Sequence, residues 1–162
     1  MDWTTLLFSF EGRINRGKYW LAILIYTLAW FVFIIGTLFW LGGLNIDNLF
    51  TLAGAGLLVW LVGVLLLIAG VWSGLATGIK RLHDRDKSGW WIILFWLAPS
   101  ALSSIQNSMP WLGGGFVLSL AAMAIGIWAF VELCCLRGTA GPNQYGPDPL
   151  AAPQPYVAPN VR

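Results

Sequence analysis

Charge is scarce in this sequence: 9 Lys and Arg with 7 Asp and Glu make up only 10% of the 162 residues, against about 25% in an ordinary soluble domain. That excludes a water-soluble globule, which would lack the polar surface to coat itself. A net charge of +2 gives no case for nucleic acid. Histidine occurs once, as His83, and cysteine twice, as the adjacent Cys134 and Cys135. Neither a Ser-His-Asp nor a Cys-His constellation can be built from these, and no glycine-rich loop ends in Gly-Lys-Ser or Gly-Lys-Thr. Repeated acids or several histidines at helix ends, as membrane phosphatases and lipid transferases carry, are also missing. No cofactor or metal is expected. The two cysteines close an apolar run near a face assigned below to the cytoplasm, where disulfides are disfavoured, so they read as small apolar residues.

What is abundant is apolar surface, at 58% of the chain. Three runs, 19–41, 52–76 and 111–136, are long enough to cross a bilayer core of about 30 Å, which takes about 20 helical residues. A fourth stretch, 90–105, is interrupted by Pro99 and spans only about 24 Å at 1.5 Å per residue. It is either a full crossing or a re-entrant hairpin. With four crossings, Arg13, Arg16, Lys18, Lys80, Arg81, Arg85, Lys87, Arg137 and Arg162 all fall on one side, as the positive-inside rule requires; a re-entrant segment would expel Arg137. The expected fold is therefore an all-α integral membrane protein, a four-transmembrane-helix bundle with both termini cytoplasmic. Its helices are expected at about 19–41, 52–78, 90–105 and 111–136, in one membrane domain over residues 1–150. Trp20, Trp40, Trp90, Trp91 and Trp111 lie near the helix ends, where amphipathic rings favour the interface. The short apolar stretch before Arg13 does not have the order of a signal peptide. Six of the eight prolines follow Arg137, and residues 151–162 are expected to be a disordered Pro-rich tail.

Two helix faces stand out. In the second run Gly56, Gly63, Gly70, Gly74 and Gly78 share about 80° of arc at 100° per residue. In the last, Gly115, Ser119, Ala122, Gly126 and Ala129 line another small-residue strip. Small residues let membrane helices approach closely, and the two strips are expected to pack on each other within one chain or between two copies. Glu132 is the one acid inside a long apolar run. An ionised group there needs a partner, and an intramembrane ion pair with Arg81, or with an arginine of the N-terminal segment, is expected. In the loop around His83, the neighbouring Asp84 and Asp86 suggest acid-base or metal chemistry only weakly, because adjacent side chains point apart.

Three separated stretches carry a family resemblance: 10–20, FEGRINRGKYW; Arg81-Leu82-His83-Asp84 with Ser88-Gly89-Trp90-Trp91; and 141–149, GPNQYGPDP. In that order they resemble the YhaH-like small bacterial inner-membrane proteins, domain-of-unknown-function family 805, over residues 8–150. The resemblance implies a bacterial inner membrane and no reaction. With the topology above, it also brings all three stretches to one side. A cytoplasmic cap is expected in which Arg13, Arg16, Arg81, His83, Asp84, Asn143 and Tyr145 converge as a ligand or partner surface. The leading functional expectation is a non-enzymatic membrane protein that binds lipid, anionic headgroups included, or a partner, a second copy among them. The alternatives are a small transporter or channel subunit, with Pro99 and its serines at the midplane, and an interfacial lipid enzyme using His83, Asp84 and Asp86.

Overall fold

A computed structural model describes residues 2–43, 49–108 and 115–151. All its regular elements are helical: α1 (Trp3–Phe8), α2 (Arg16–Gly42), α3 (Leu49–Asp84), α4 (Trp91–Ser108) and α5 (Gly115–Phe130), which continues into a π-helical turn, Val131–Cys135. Three segments are long and apolar enough to cross a membrane: Arg16–Gly42, Ala53–Asp84 and Gly115–Cys135. The 18 residues of α4 rise about 27 Å. The expected 151–162 tail lies outside the described residues apart from Ala151, as do Trp111 and the first residues expected of the last helix.

Several boundaries move for physical reasons. The short helix α1 was not expected. Helix α2 begins three residues early because the Asn15 side chain accepts the Lys18 N–H at 2.9 Å, an N-cap that satisfies one of the helix's free amides. Helix α3 runs six residues beyond Gly78, since Lys80, Arg81 and Asp84 all find partners inside the molecule and none needs to leave the helix. Helix α4 stays helical through Pro99. Ser100, Ser103 and Ser104 donate to the carbonyls of Trp96, Pro99 and Ser100, which hides their hydroxyls in the helix's own backbone.

The helices form two antiparallel hairpins. In the first, Phe33 of α2 lies against Gly63 of α3, and Tyr26 and Trp30 against Gly70. In the second, Trp91 and Phe95 of α4 both meet Trp128 of α5 edge-on, while Ser119 donates to Gln106 at 2.8 Å. Among the described residues, the hairpins join at one end. There Gly74 and Gly78 of α3 receive Trp96 and Ile92 of α4, and Leu82, Ile92, Phe95 and Leu133 form a buried cluster with Tyr19, Ile79 and Ala129 around it. Away from this end the side chains are largely outward, Phe39 being 80% exposed and Phe116 74%. Within the chain, the expected packing of one small-residue strip on the other is thus replaced. The α3 glycines take aromatic and branched side chains of α2 and α4, and no atom outside its own helix turn comes within 4 Å of where a side chain at Gly56 or Gly126 would begin. An aromatic ring set into a glycine notch buries more surface than two facing strips could.

Candidate functional site: a capped helix end

The end at which the hairpins join is where α1 ends, α2 begins, α3 ends, α4 begins and the π-helical turn ends. A helix leaves its last four carbonyls without partners, so three C-termini crowded together present a dense array of acceptors. The polar residues of the three sequence motifs are spent mainly on them.

Lys80 is fully buried and its ammonium donates to the carbonyls of Thr5 and Leu6, each at 2.6 Å. It closes the C-terminus of α1, where a cation also complements the helix dipole. Ser73, Thr77, Lys80 and Asp84, at spacings of 4, 3 and 4, form a polar stripe on α3, each at most 3% exposed. The π-helical turn exposes four consecutive carbonyls, and each has a side-chain donor. Leu133 and Leu136 accept from Arg81, Cys134 from the Trp20 indole at 3.3 Å, and Cys135 from Arg16 at 3.1 Å.

At the end of α3, the Asp84 carbonyl accepts from the Thr139 amide at 2.8 Å, and that of His83 from the Asn143 side chain at 2.9 Å. The carboxylate of Asp84 stands between two arginines. Oδ1 accepts from Arg13 Nε and Nη2 at 3.2 and 3.1 Å, and Oδ2 from Arg81 Nη1 at 2.5 Å; all three side chains are at most 3% exposed. Arg13 completes its five-donor fork on the carbonyls of Thr139, Gly141 and Gly146. Gly141 and Gly146 take φ of +78° and +133°, regions that favour glycine, and the turn between them aims both carbonyls at one guanidinium. Asn143 and Gly146 exchange backbone hydrogen bonds at 3.1 Å. Asp148 accepts the N–H groups of Leu150 and Gly141, which hold its carboxyl below the ordinary value.

The seven expected residues are therefore gathered at one end. Arg13, Arg81 and Asp84 form its buried centre, Asn143 pins the turn, and Arg16 reaches the π-helical turn from an exposed position. His83 and Tyr145 stack face to face, centroids 3.8 Å apart and planes 3° from parallel, with His83 Nδ1 3.3 Å from the Gly12 carbonyl oxygen. One expectation is corrected: Glu132 pairs not with Arg81 or an N-terminal arginine but with Arg85 and Lys87, both at 3.0 Å. Arg81 is held by Asp84, one turn along its own helix, whereas Arg85 lies just past the helix end and can swing across to Glu132. Lys87 also lies 5.6 and 5.8 Å from the ring centroids of Trp91 and Trp128. Sequence reasoning missed Lys80, Thr139 and Gly138. The polar stripe could have revealed Lys80, since four polar residues on one face of an apolar helix demand a covering element. Gly138 gave no such signal, yet a Cβ there would collide with the Asp84 carboxylate.

Among the described residues, no three of His, Cys, Asp and Glu come together as a metal-ligand group. Three cavities adjoin the cap. A small polar one of about 170 Å³ lies between Arg16 and Arg137. A groove of about 510 Å³ runs between α3 and α4 beside His83. An apolar crevice of about 670 Å³ follows α2 from Tyr19 to Ile34, with Trp96 across from it.

Comparison with known proteins places this geometry in a family. The chain is 36% identical over 148 residues to "Uncharacterized protein YiiR" of Escherichia coli strain K12, covering 88% of this chain and 86% of that one. It is 29% identical over 158 residues to "Inner membrane protein YhaH" of the same strain, 94% of this chain and all of the relative. With "Inner membrane protein YhaI" it shares 30% identity over 142 residues, 87% and 86% of the two chains. No solved structure matches. The model of the family described as "Protein of unknown function (DUF805)" matches residues 7–147, which takes in the end of α1, helices α2 to α5 and the capping turn, and the chain belongs to that family.

Proposed function

We propose that this chain is a four-pass protein of the bacterial inner membrane with both termini in the cytoplasm, and that it acts without catalysis, binding membrane phospholipid at its capped end. One observation carries the non-catalytic reading: both oxygens of Asp84 are taken by buried arginines. An acid-base pair with His83 would need that carboxylate free. The antiparallel course of α4 and α5 supports a full crossing by α4, because α3 ends and α5 ends at the same level. Lipid is favoured over a soluble ligand by position. Exposed Arg16 and Arg137 flank a polar pocket where headgroups of a cytoplasmic leaflet would lie, and each basic residue near an anionic leaflet contributes about 1 kcal/mol.

Topology is tested by labelling single cysteines, placed at positions 45, 109 and 162 in a variant with Cys134 and Cys135 replaced by alanine, with an impermeant maleimide. Positions 45 and 109 should react from the periplasm and 162 only after lysis; labelling of 162 from outside would reject the orientation. For lipid binding, the protein is purified in mild detergent and its lipids quantified by mass spectrometry. Anionic phospholipid should be enriched over the bulk membrane and reduced by the double change Arg16→Gln, Arg137→Gln. Bulk composition in both proteins would end the lipid reading.

A further inference from the structure

The cap leaves one part of its polar inventory uncommitted. Arg13, Arg81, Asp84 and Asn143 are consumed by carbonyls and by one another, while Arg16 gives one nitrogen to a carbonyl of the π-helical turn and is otherwise exposed. His83 is different. One face of its ring is covered by Tyr145 in a near-parallel stack, and Nδ1 is directed at the Gly12 carbonyl. The other ring nitrogen, Nε2, lies on the side of Gly89, where a Cβ would stand 3.6 Å from it and 2.9 Å from Ile79 Cγ2. Only glycine leaves that space clear. His83, Tyr145 and Ser88 line the polar end of the groove of about 510 Å³, and Leu75, Ile79 and Ile93 line its apolar length between α3 and α4. The volume is that of a small-molecule site, which usually runs from about 300 to 1,000 Å³. Its polarity changes along the membrane normal, from hydrogen-bonding side chains at the capped end to aliphatic ones toward the bilayer interior.

We infer that this groove is a glycerophospholipid site, with the phosphate and glycerol region on His83, Tyr145 and Ser88 and one acyl chain along Leu75, Ile79 and Ile93. With the Nδ1 proton given to the Gly12 carbonyl, Nε2 is an acceptor; a glycerophospholipid offers it a headgroup ammonium or hydroxyl proton, the phosphodiester accepts from the two hydroxyls, and the attached chain matches the aliphatic length. A soluble phosphoester would leave that length empty. The fixed stack presets the imidazole, so little side-chain freedom is lost on binding. This assignment rests on the lipid-binding reading above and names a site for it away from Arg16 and Arg137.

The test uses the full chain reconstituted in vesicles of phosphatidylethanolamine and phosphatidylglycerol, each carrying in turn a trace of its own photoactivatable form, with adducts mapped by peptide mass spectrometry. Adducts should concentrate on residues 75–93, with more than one lipid class accepted because the shared phosphodiester is read. Ile93→Trp fills the groove from a position already 41% exposed, in the first turn of α4 but outside the buried cluster. It should lower those adducts at least fivefold with an unchanged melting temperature. His83→Gln with Tyr145→Phe should lower them several-fold by removing two polar contacts. Glycerol phosphate at millimolar concentration should not compete; full competition would overturn the lipid assignment in favour of a soluble phosphoester. Adducts concentrated on α2 and the π-helical turn, unaffected by Ile93→Trp, would overturn this site while sparing the lipid-binding reading. Adducts spread evenly over all helices would overturn both.

Discussion

At the residue scale, two acids in a largely apolar chain have opposite consequences. Asp84 is buried between two buried arginines, and removing its charge leaves both uncompensated. Breaking a buried pair from one side typically costs about 3–5 kcal/mol, so Asp84→Asn should collapse the melting temperature in detergent or abolish the folded protein. Glu132 faces Arg85 and Lys87, which are 25% and 29% exposed and can turn to water. Glu132→Gln should cost no more than about 1 kcal/mol on the same assay. Gly138→Ala should behave like Asp84→Asn rather than like a surface change, because its methyl group takes the space of the Asp84 carboxylate. A third carboxyl reports on the capping turn. Asp148 titrates below its ordinary 3.8 because it accepts two N–H groups, so its support is complete above that value and lost as the pH falls through the lower folded one. Hydrogen exchange at residues 139–150 should be flat from pH 7 to 5, after correction for intrinsic rates, and protection should fall only in stronger acid. The motifs made the membership of this cluster legible but not its pairing. Which arginine reaches which acid depends on the angle between helices, and the sequence pattern constrains only positions around each one.

At the element scale, the apolar runs and the clustering of basic residues were enough to place the long helices, and misplaced mainly their ends. Helix α3 outran its apolar stretch because burial of its last polar turn is arranged by α1, α2 and the C-terminal turn, none of which its own sequence announces. Glycine periodicity singled out a face on α3 along which Gly63, Gly70, Gly74 and Gly78 meet side chains of α2 and α4 while Gly56 meets open space, and it did not announce which side chains those would be. A strip of small residues specifies room, and the occupant is whichever side chains the topology delivers. Substitutions should therefore divide by depth. Gly78→Val puts a side chain 2.7 Å from Ile92 Cδ1 and should destabilise by about 1–3 kcal/mol, in the range of overpacked cores. Gly126→Leu meets open space and should leave the melting temperature in detergent within a degree or two. Equal losses at both positions would restore the strip-on-strip arrangement.

At the scale of the whole molecule, two hairpins are joined at one end and spread apart beyond it. The joined end holds nearly all the buried residues, so the molecule's cooperativity resides there. Cleavage between α2 and α3, at residues 44–48, should leave the cap and the global transition largely intact, whereas removal of residues 139–151 should abolish it; both are measurable by thermal melting monitored through tryptophan fluorescence. The cap also has a temporal side. Arg13 is synthesised early, Arg81 and Asp84 later, and the carbonyls of Thr139, Gly141 and Gly146 more than fifty residues after those. Until then Arg13 has Asp84 but lacks its three carbonyl acceptors, and the hairpins have no lock. Synthesis of residues 139–146 and closure of the cap are thus nearly the same event. A chain released before Thr139 would carry an exposed cationic seam that a membrane quality-control protease could distinguish from the finished protein.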